Sequence, residues 1–227
     1  MENTVEMSED EFEEGKEIKQ EPDDESICRK KIKKPRIFTA EELEKQDIVR
    51  INILKKQNKI STKCVKGVQI PAAISSFEEL FSKYNISAQL IENVKEIGYD
   101  TPTPIQMQSL PILLSNLSLK ACAETGSGKT CAFLLPMVQN IIRDNETSST
   151  NAIKGLIICP TRELASQILR ECVRICDKTD VRAHIITKTD DESMKKFHKK
   201  KTNILIVTPN RLSFFLKQNL PNFNLDS

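Results

Sequence analysis

The stretch Ala121-Cys-Ala-Glu-Thr-Gly-Ser-Gly-Lys-Thr130 sets two glycines, a lysine and a hydroxyl at the spacing of a polyphosphate cradle. Gly126 and Gly128 accept backbone angles closed to other residues and carry no side chain to block an anion. Successive N–H groups can therefore turn inward. Lys129 supplies positive charge to the β- and γ-phosphates, and the Thr130 hydroxyl is the expected Mg²⁺ ligand. Ala123 stands where the pattern G-x-x-x-x-G-K-[ST] has its first glycine, a small residue replacing a small one. Ala123, Glu124, Thr125, Gly126, Ser127, Gly128, Lys129 and Thr130 are the expected nucleotide-binding loop, with Lys129 and Thr130 in the catalytic roles. The bland alternative is a Gly/Ser turn that happens to end in Lys-Thr.

The flanks favour the cradle. Leu117 to Ala123 is short, mostly apolar and enters the glycine turn as a buried parallel strand should. Cys131 to Arg143 carries Phe133, Leu134, Met137, Ile141 and Ile142 at helical spacing, with Pro136 as a possible kink. The phosphates would then sit at a helix N-terminus, where unpaired N–H groups and the helix dipole favour anions. Downstream the pattern alternates. Strands are expected over 155–160, 182–187 and 202–208, with helices over 162–178, 192–199 and 210–218. Such a series predicts an α/β fold, a parallel sheet with helices on both faces and ligands at the carboxyl ends of its strands. The loop at 123–130, Pro160-Thr-Arg162 and Thr208-Pro-Asn-Arg211 all fall at such ends.

A total of 34 Lys and Arg against 32 Asp and Glu gives a net charge of only +2, but the charges are unevenly placed. Residues 1–25 hold twelve acidic residues against Lys16 and Lys19, with few large apolar ones, so this segment cannot bury enough surface to order itself. Arg29 to Arg36 (RKKIKKPR) is a nuclear-localisation signal, an electrostatic foot on nucleic acid or a plain solvated charge run. Thr39 with Glu42 three residues on reads as a capping start. A helix to about Gln57 should follow, with Ile48, Ile51, Ile53 and Leu54 giving it an apolar side. The expected organisation is a disordered tail over 1–36, a helical extension over 37–66 and a nucleotide-binding domain over 67–227. Seven cysteines at 28, 64, 122, 131, 159, 172 and 176 lack the paired spacing of a zinc site and read as reduced, mostly buried thiols of an intracellular protein. No apolar run reaches membrane-spanning length, and the acidic start is unlike a signal peptide.

Four motifs in order and spacing make the chain resemble the N-terminal half of a DEAD-box RNA helicase over roughly residues 70–227. Gly98-Tyr-Asp-Thr-Pro-Thr-Pro-Ile-Gln106 resembles the adenine-reading Q motif, and Ala123 to Thr130 resembles motif I. Pro160-Thr-Arg-Glu-Leu-Ala165 and Thr208-Pro-Asn-Arg211 are similar to motifs Ia and Ib, which grip RNA backbone in that family. The resemblance implies a RecA-like domain, ATP and Mg²⁺ as cofactors, and nucleotide contacts from Tyr99, Thr103 and Gln106. It implies RNA contacts from Pro160, Thr161, Arg162, Thr208, Pro209 and Arg211. Chemistry agrees with these roles. The Gln106 amide matches the N6/N7 edge of adenine, Thr103 can orient that amide or hold the loop, and Arg162 can make bidentate bonds to phosphate. Thr161 and Thr208 offer hydroxyls to RNA backbone or 2′-OH groups. An upstream Phe should stack on the base; Phe77, in Ser-Phe-Glu-Glu-Leu, is preferred over Phe81.

Departures from the pattern narrow the resemblance. Thr187-Lys-Thr-Asp190 replaces the usual Gly-Gly pair after the third strand, which puts that RNA contact in doubt. Together with Pro102 to Pro111, the Lys-rich run 195–201, residues 208–212 and 216–218, and the segment 51–60, this is similar to helicases of small-subunit ribosome biogenesis. That similarity implies pre-rRNA and ribosome-assembly factors as partners, residence in the nucleus and nucleolus, no membrane association and a monomer. Glu124 stands where Pro is usual, and a carboxylate beside the phosphates would weaken ATP binding unless it points outward. The sequence contains no Asp-Glu-Ala-Asp, no Ser-Ala-Thr and no second RecA-like domain. The chain is therefore expected to be a partial product: the ATP-binding portion of a helicase that hydrolyses ATP, itself inactive in turnover. The alternative is a short isoform that binds nucleotide or RNA as an interaction module. A GTPase is disfavoured, because no Asn-Lys-x-Asp motif is present.

Overall fold

A computed structural model describes residues 40–147, 153–186 and 201–217. The acidic tail, the basic run 29–36, the Thr39 cap, residues 187–190, the expected helix over 192–199, most of the Lys-rich run and Gln218 lie outside the described residues. The chain separates into two units, residues 1–49 and 50–227. Of the first, only the opening of helix α1 (Ala40–Gln57) is described.

In the second unit each helix starts where the sequence can cap it. Ser76 accepts from Glu79 N to open α2 (Phe77–Tyr84), and Ser87 accepts from Leu90 N to open α3 (Ala88–Glu96). Helix α4 (Pro104–Leu114) begins with proline at its first position, and Gln106 Oε1 reaches back to Thr103 N at 3.0 Å. Helix α5 (Lys129–Thr147) buries Cys131, Leu134, Leu135, Val138 and Ile141, the spacing of one helical face, and runs on through Pro136. Helix α6 (Arg162–Ile175) is capped by the Thr161 hydroxyl and buries Ala165, Ile168, Cys172 and Ile175.

Three strands, β1 (Gly155–Ile158), β2 (Ala183–Ile185) and β3 (Ile204–Val207), form a parallel sheet in the order β1-β3-β2. Strand β3 is buried on both faces, as a continuous Ile-Leu-Ile-Val run requires of a central parallel strand. Its residues alternate. Ile204 and Ile206 join the main core with α5 and α6, whereas Leu205 and Val207 pack with Leu156, Ile186 and Leu212 of α7 (Pro209–Lys217) on the other face. The expected α/β fold with helices on both faces is present. At Gly155 an added Cβ would come within 2.9 Å of Met137 Sδ, so a larger residue here would make the Met137 side chain of α5 shift.

Three expectations need correction. Residues 117–123 form no strand, and from Ser118 to Cys122 they are exposed. A strand exists only through a partner's hydrogen bonds. Strands β1, β3 and β2 pair with one another, and no described strand lies alongside this segment. Helix α1 ends at Gln57, where the sequence places its end, but the compact unit starts at Arg50 instead of residue 67. Contacts explain the earlier boundary: Arg50 donates to Ser75 Oγ at 2.9 Å, Gln108 Nε2 to Pro71 O at 2.9 Å, and Ile74 N to Met107 O at 2.9 Å. Finally, Ile48 and Ile53 of α1 are exposed, and its half-buried face is instead Ile51, Leu54, Lys55 and Asn58, at helical spacing.

Of the described cysteines, Cys131, Cys159, Cys172 and Cys176 are buried free thiols, and Cys64 and Cys122 are exposed. Burial pushes the Cys131 thiol up to about 12, so it is protonated and acts as a small apolar side chain. No described helix is long and apolar enough to cross a membrane.

Candidate nucleotide and nucleic-acid sites

The loop at 123–130 is shaped by its glycines and its lysine. Gly126 and Gly128 hold φ of +81° and +84°, in the region that favours glycine. Lys129 Nζ donates to Ala123 O at 2.7 Å, to Glu124 O and toward Ser127 Oγ at 3.5 Å. The ammonium thus closes the loop on itself from the first turn of α5, where backbone N–H groups have no intrahelical partner. Positive-φ glycines, a helix N-terminus and a lysine within the ring of carbonyls fit a polyphosphate, with Thr130 in the same helical turn as the Mg²⁺ ligand. Glu124 and Thr125 are exposed; Ser127, Gly128, Lys129 and Thr130 are half-buried.

Residues from α4 hold this loop from outside. Thr103 Oγ1 donates to Ser127 O at 2.7 Å, and Gln106 Nε2 donates to Gly128 O at 3.1 Å. A Cβ at Gly128 would approach Gln106 Nε2 to 2.5 Å, so the fit there admits only glycine. Of the two roles expected for Thr103, the structure displays the second, a grip on the loop. Gln106 is 2% exposed, and both amide atoms are engaged within the protein, Oε1 by Thr103 N and Nε2 by Gly128 O. Because it stands in the first turn of α4, the amide points back to the cap and the loop.

Two more residues expected at the base site also make contacts within the protein. Phe77 is buried at 2% exposure in the core and stacks on Phe81, with ring centroids 6.0 Å apart and planes at 24°. One helical turn separates the pair, so each ring covers one face of the other, with Phe81 half-buried. Tyr99 is half-buried, and its hydroxyl donates to the Glu171 carboxylate of α6. Burial, followed by that hydrogen bond, raises its pKa, so the phenol stays protonated. Glu171 also pairs with Arg174 at 3.2 Å. Tyr99 is thus a tether between helices.

A pocket of about 800 Å³ opens beside the loop, between Ala123, Glu124 and Ser127 on one wall and Ile105 and Gln108 on another, with Val68 of the preceding segment. Sequence reasoning missed this wall. Residues 58–70 carry no chemical motif, and only the contacts of Gln108 and Met107 with residues 71–74 reveal that the chain lies against α4.

The second cluster comes from strand register. Ile158 pairs with Val207, and Cys159 N donates to Val207 O at 2.9 Å, so Pro160, Thr161 and Arg162 leave the sheet beside Thr208, Pro209 and Arg211. Pro160, Thr161, Arg162 and Pro209 are exposed; Thr208 and Arg211 are half-buried. The Thr161 hydroxyl accepts from Leu164 N at 3.2 Å, a cap. Thr208 O receives Arg211 N and Leu212 N as α7 begins. One rim therefore presents two helix N-termini and an exposed guanidinium, an arrangement suited to phosphate.

The structure brings Thr103 and Gln106 onto the phosphate loop and the two Thr/Arg segments onto one rim. Comparison with known proteins gives the family. The DEAD/DEAH box helicase model matches residues 103–225, more than half of the chain. Among curated proteins, the probable ATP-dependent RNA helicase DDX52 of Bos taurus is 39% identical over 201 residues, covering 87% of this chain and 32% of that protein. The ATP-dependent RNA helicase ROK1 of Saccharomyces cerevisiae is 42% identical over 156 residues, 65% of this chain and 27% of its own length. The chain thus spans about a third of the length of the curated relatives it matches. Among solved structures, the RNA helicase Prp28 from Chaetomium thermophilum bound to ADP superposes with a TM-score of 0.62 at 33% identity, over 74% of this chain and 39% of that one. With the loop, its α4 clamp and the shared rim in the same chain as this match, the protein belongs to the DEAD/DEAH box helicase family.

Proposed function

We propose that this chain is the ATP-binding part of an RNA helicase of the kind represented by DDX52 and ROK1, acting on pre-rRNA in ribosome biogenesis within the nucleolus. The observation that carries the reading is the clamp of Thr103 and Gln106 on Ser127 O and Gly128 O, which joins an α4 motif to a phosphate loop instead of leaving either as an isolated turn. ATP with Mg²⁺ is held by residues 123–130, where Lys129 exchanges the Ala123 and Glu124 carbonyls for phosphate oxygens and Thr130 ligates the metal. Bound Mg²⁺ supplies charge neutralisation at the phosphates. RNA backbone lies on the rim of Pro160, Thr161, Arg162, Thr208, Pro209 and Arg211, with ribosome-assembly factors as further partners of a monomer. The unit from Arg50 onward contributes to a RecA-like domain, and strand separation belongs to a protein of the relatives' length.

The test uses the 227-residue chain. A fluorescent ATP analogue should bind, and Lys129→Ala should abolish that binding. Single-stranded RNA should bind with little base preference and steep salt dependence, and Arg162→Glu should weaken it and lower the salt slope by about one. Nucleotide binding unchanged in Lys129→Ala would remove the phosphate-loop assignment; RNA binding unchanged in Arg162→Glu would remove the rim.

A further inference from the structure

Neither Lys129 nor Thr130 lines the cavity of about 800 Å³ beside the phosphate loop, so its chemistry is separate from that of the phosphate cradle. What distinguishes its walls is sulfur and charge. Of the described cysteines only Cys64 and Cys122 are exposed, and both line this cavity, Cys64 from the segment after α1 and Cys122 from the segment that leads into the loop. Lys59, Lys63 and Lys120 line it as well, with Glu124 as the one acid among the described residues around it. All three lysines are exposed, and none is ion-paired among the described residues. A cleft lined mainly by one sign of charge focuses its field and concentrates small ions of the opposite sign. On the α4 wall Gln108 is 5% exposed, and its Oε1 has no hydrogen-bond partner among the described residues, which leaves an acceptor unused. A volume of this size lies within the range of small-molecule sites.

We propose that this cavity is a thiolation site for a small anionic disulfide of the glutathione class, which exchanges with Cys64 or Cys122. Glutathione answers each feature of the walls. Its carboxylates, which outnumber its ammonium groups, match the lysines, its peptide N–H groups match the unused acceptor on Gln108, and its disulfide brings the reacting sulfur. The step is a thiol–disulfide exchange. The cysteine sulfur, as thiolate, attacks one sulfur of oxidised glutathione. A protein–glutathione S–S bond forms as the S–S bond of oxidised glutathione breaks, and the departing half leaves as a thiolate that takes up the proton the cysteine gave. The protein sulfur is oxidised and the departing half reduced, so no other oxidant is consumed. Such a cap is removed by the same exchange with excess thiol. The inference stands apart from the functional reading, because no step in it needs bound nucleotide or RNA.

The experiment incubates the 227-residue chain at low salt with oxidised glutathione or with the uncharged hydroxyethyl disulfide, and follows each cysteine by peptide mass mapping. Oxidised glutathione should add at Cys64 or Cys122 ahead of the buried Cys131, Cys159, Cys172 and Cys176. Lys63→Glu combined with Lys120→Glu should slow that reaction about tenfold, an effect that fades with salt, and leave the rate with the uncharged disulfide within about twofold. The uncharged reagent also reports on the fold, since loss of structure would open the buried thiols and speed their reaction. Lys59→Glu alone, from the wall that carries Cys64, repeats the test should the double change disturb the fold. Cys64→Ser with Cys122→Ser should abolish the lysine-dependent reaction. Addition at Cys64 and Cys122 at a rate that the lysine changes leave unaltered would mark two thiols that are exposed and nothing more, and overturns the inference. Addition spread evenly over buried and exposed cysteines overturns it as well.

Discussion

Replacing Gln106 by alanine separates two ways in which this residue could serve a nucleotide. In the structure its Nε2 donates to Gly128 O at 3.1 Å and its Oε1 accepts from Thr103 N at 3.0 Å, with the side chain 2% exposed. Each lost bond costs about 0.5–1.5 kcal/mol net, and an orphaned buried partner raises that to about 1–3 kcal/mol. The two together predict about 2–4 kcal/mol, divided between helix capping and the ordering of the loop. The Thr103 share appears as a lower melting temperature. The Gly128 share appears in binding: about 1–2 kcal/mol of loop ordering corresponds to roughly 5- to 30-fold weaker nucleotide. Because the two bonds of the amide go to the cap and the loop, ATP and GTP analogues should weaken by the same factor. The assay is a titration of both analogues against the unmodified chain and Gln106→Ala, alongside thermal unfolding. A loss confined to the adenine nucleotide would refute the argument and return Gln106 to reading the base. A second arm uses the 2.5 Å approach that a Cβ at Gly128 would make to Gln106 Nε2. Gly128→Ala should abolish binding, and adding Gln106→Ala should recover only part of it. The clash is then relieved, but φ of +84° still costs alanine about 1–2 kcal/mol.

Two further outcomes follow from charge. Glu124 is exposed at the loop, so Glu124→Gln removes a like charge near the phosphates and should tighten ATP-analogue binding about 2- to 5-fold at low salt, an effect that fades as ionic strength rises; a titration at two salt concentrations checks it. Burial pushes the Glu79 pKa up, but hydrogen bonds from Lys83 and from Ser75 N and Oγ, with the Lys83 charge, outweigh it and hold the carboxyl below its ordinary value. A depressed folded-state pKa contributes stability above the unfolded value and loses it as pH falls through the folded one. Melting temperature should therefore drop on acidification below about pH 4.5, less steeply in Glu79→Gln, and equal slopes would exclude this network as a source of acid sensitivity.

The elements that were legible in the sequence are those whose signal is local. The face of α6 is written in Ala165, Ile168, Cys172 and Ile175, and the doubly buried β3 in an unbroken Ile-Leu-Ile-Val run. The phosphate loop was equally plain, because its glycines and lysine act within eight residues. What failed depended on partners. Residues 117–123 have a strand's composition, yet a strand requires a neighbour to bond, and none is described beside them. Phe77 and Phe81 look like free stacking rings in sequence, but one helical turn places them against each other. Tyr99 illustrates the same limit at long range: its acceptor lies 72 residues away on α6, and no local pattern names Glu171 as that partner.

Those partner-dependent contacts are also where the site gains its connectivity. A phosphate loop needs only its own residues to form a cradle, but the loop described here is additionally pinned at Ser127 and Gly128 by α4, and α4 is pinned on its flank by Gln108 to Pro71. The connector ahead of α4 is in turn tied to α6 by Tyr99, so the helix that opens the rim and the helix that clamps the loop share one mechanical joint. Local motifs are sufficient for binding phosphate or RNA separately. Tying the two into one body takes contacts between distant segments, and in this chain those contacts fall on Thr103, Gln106, Tyr99 and Glu171, of which the first three lie within Gly98 to Gln106 and Glu171 lies in no motif.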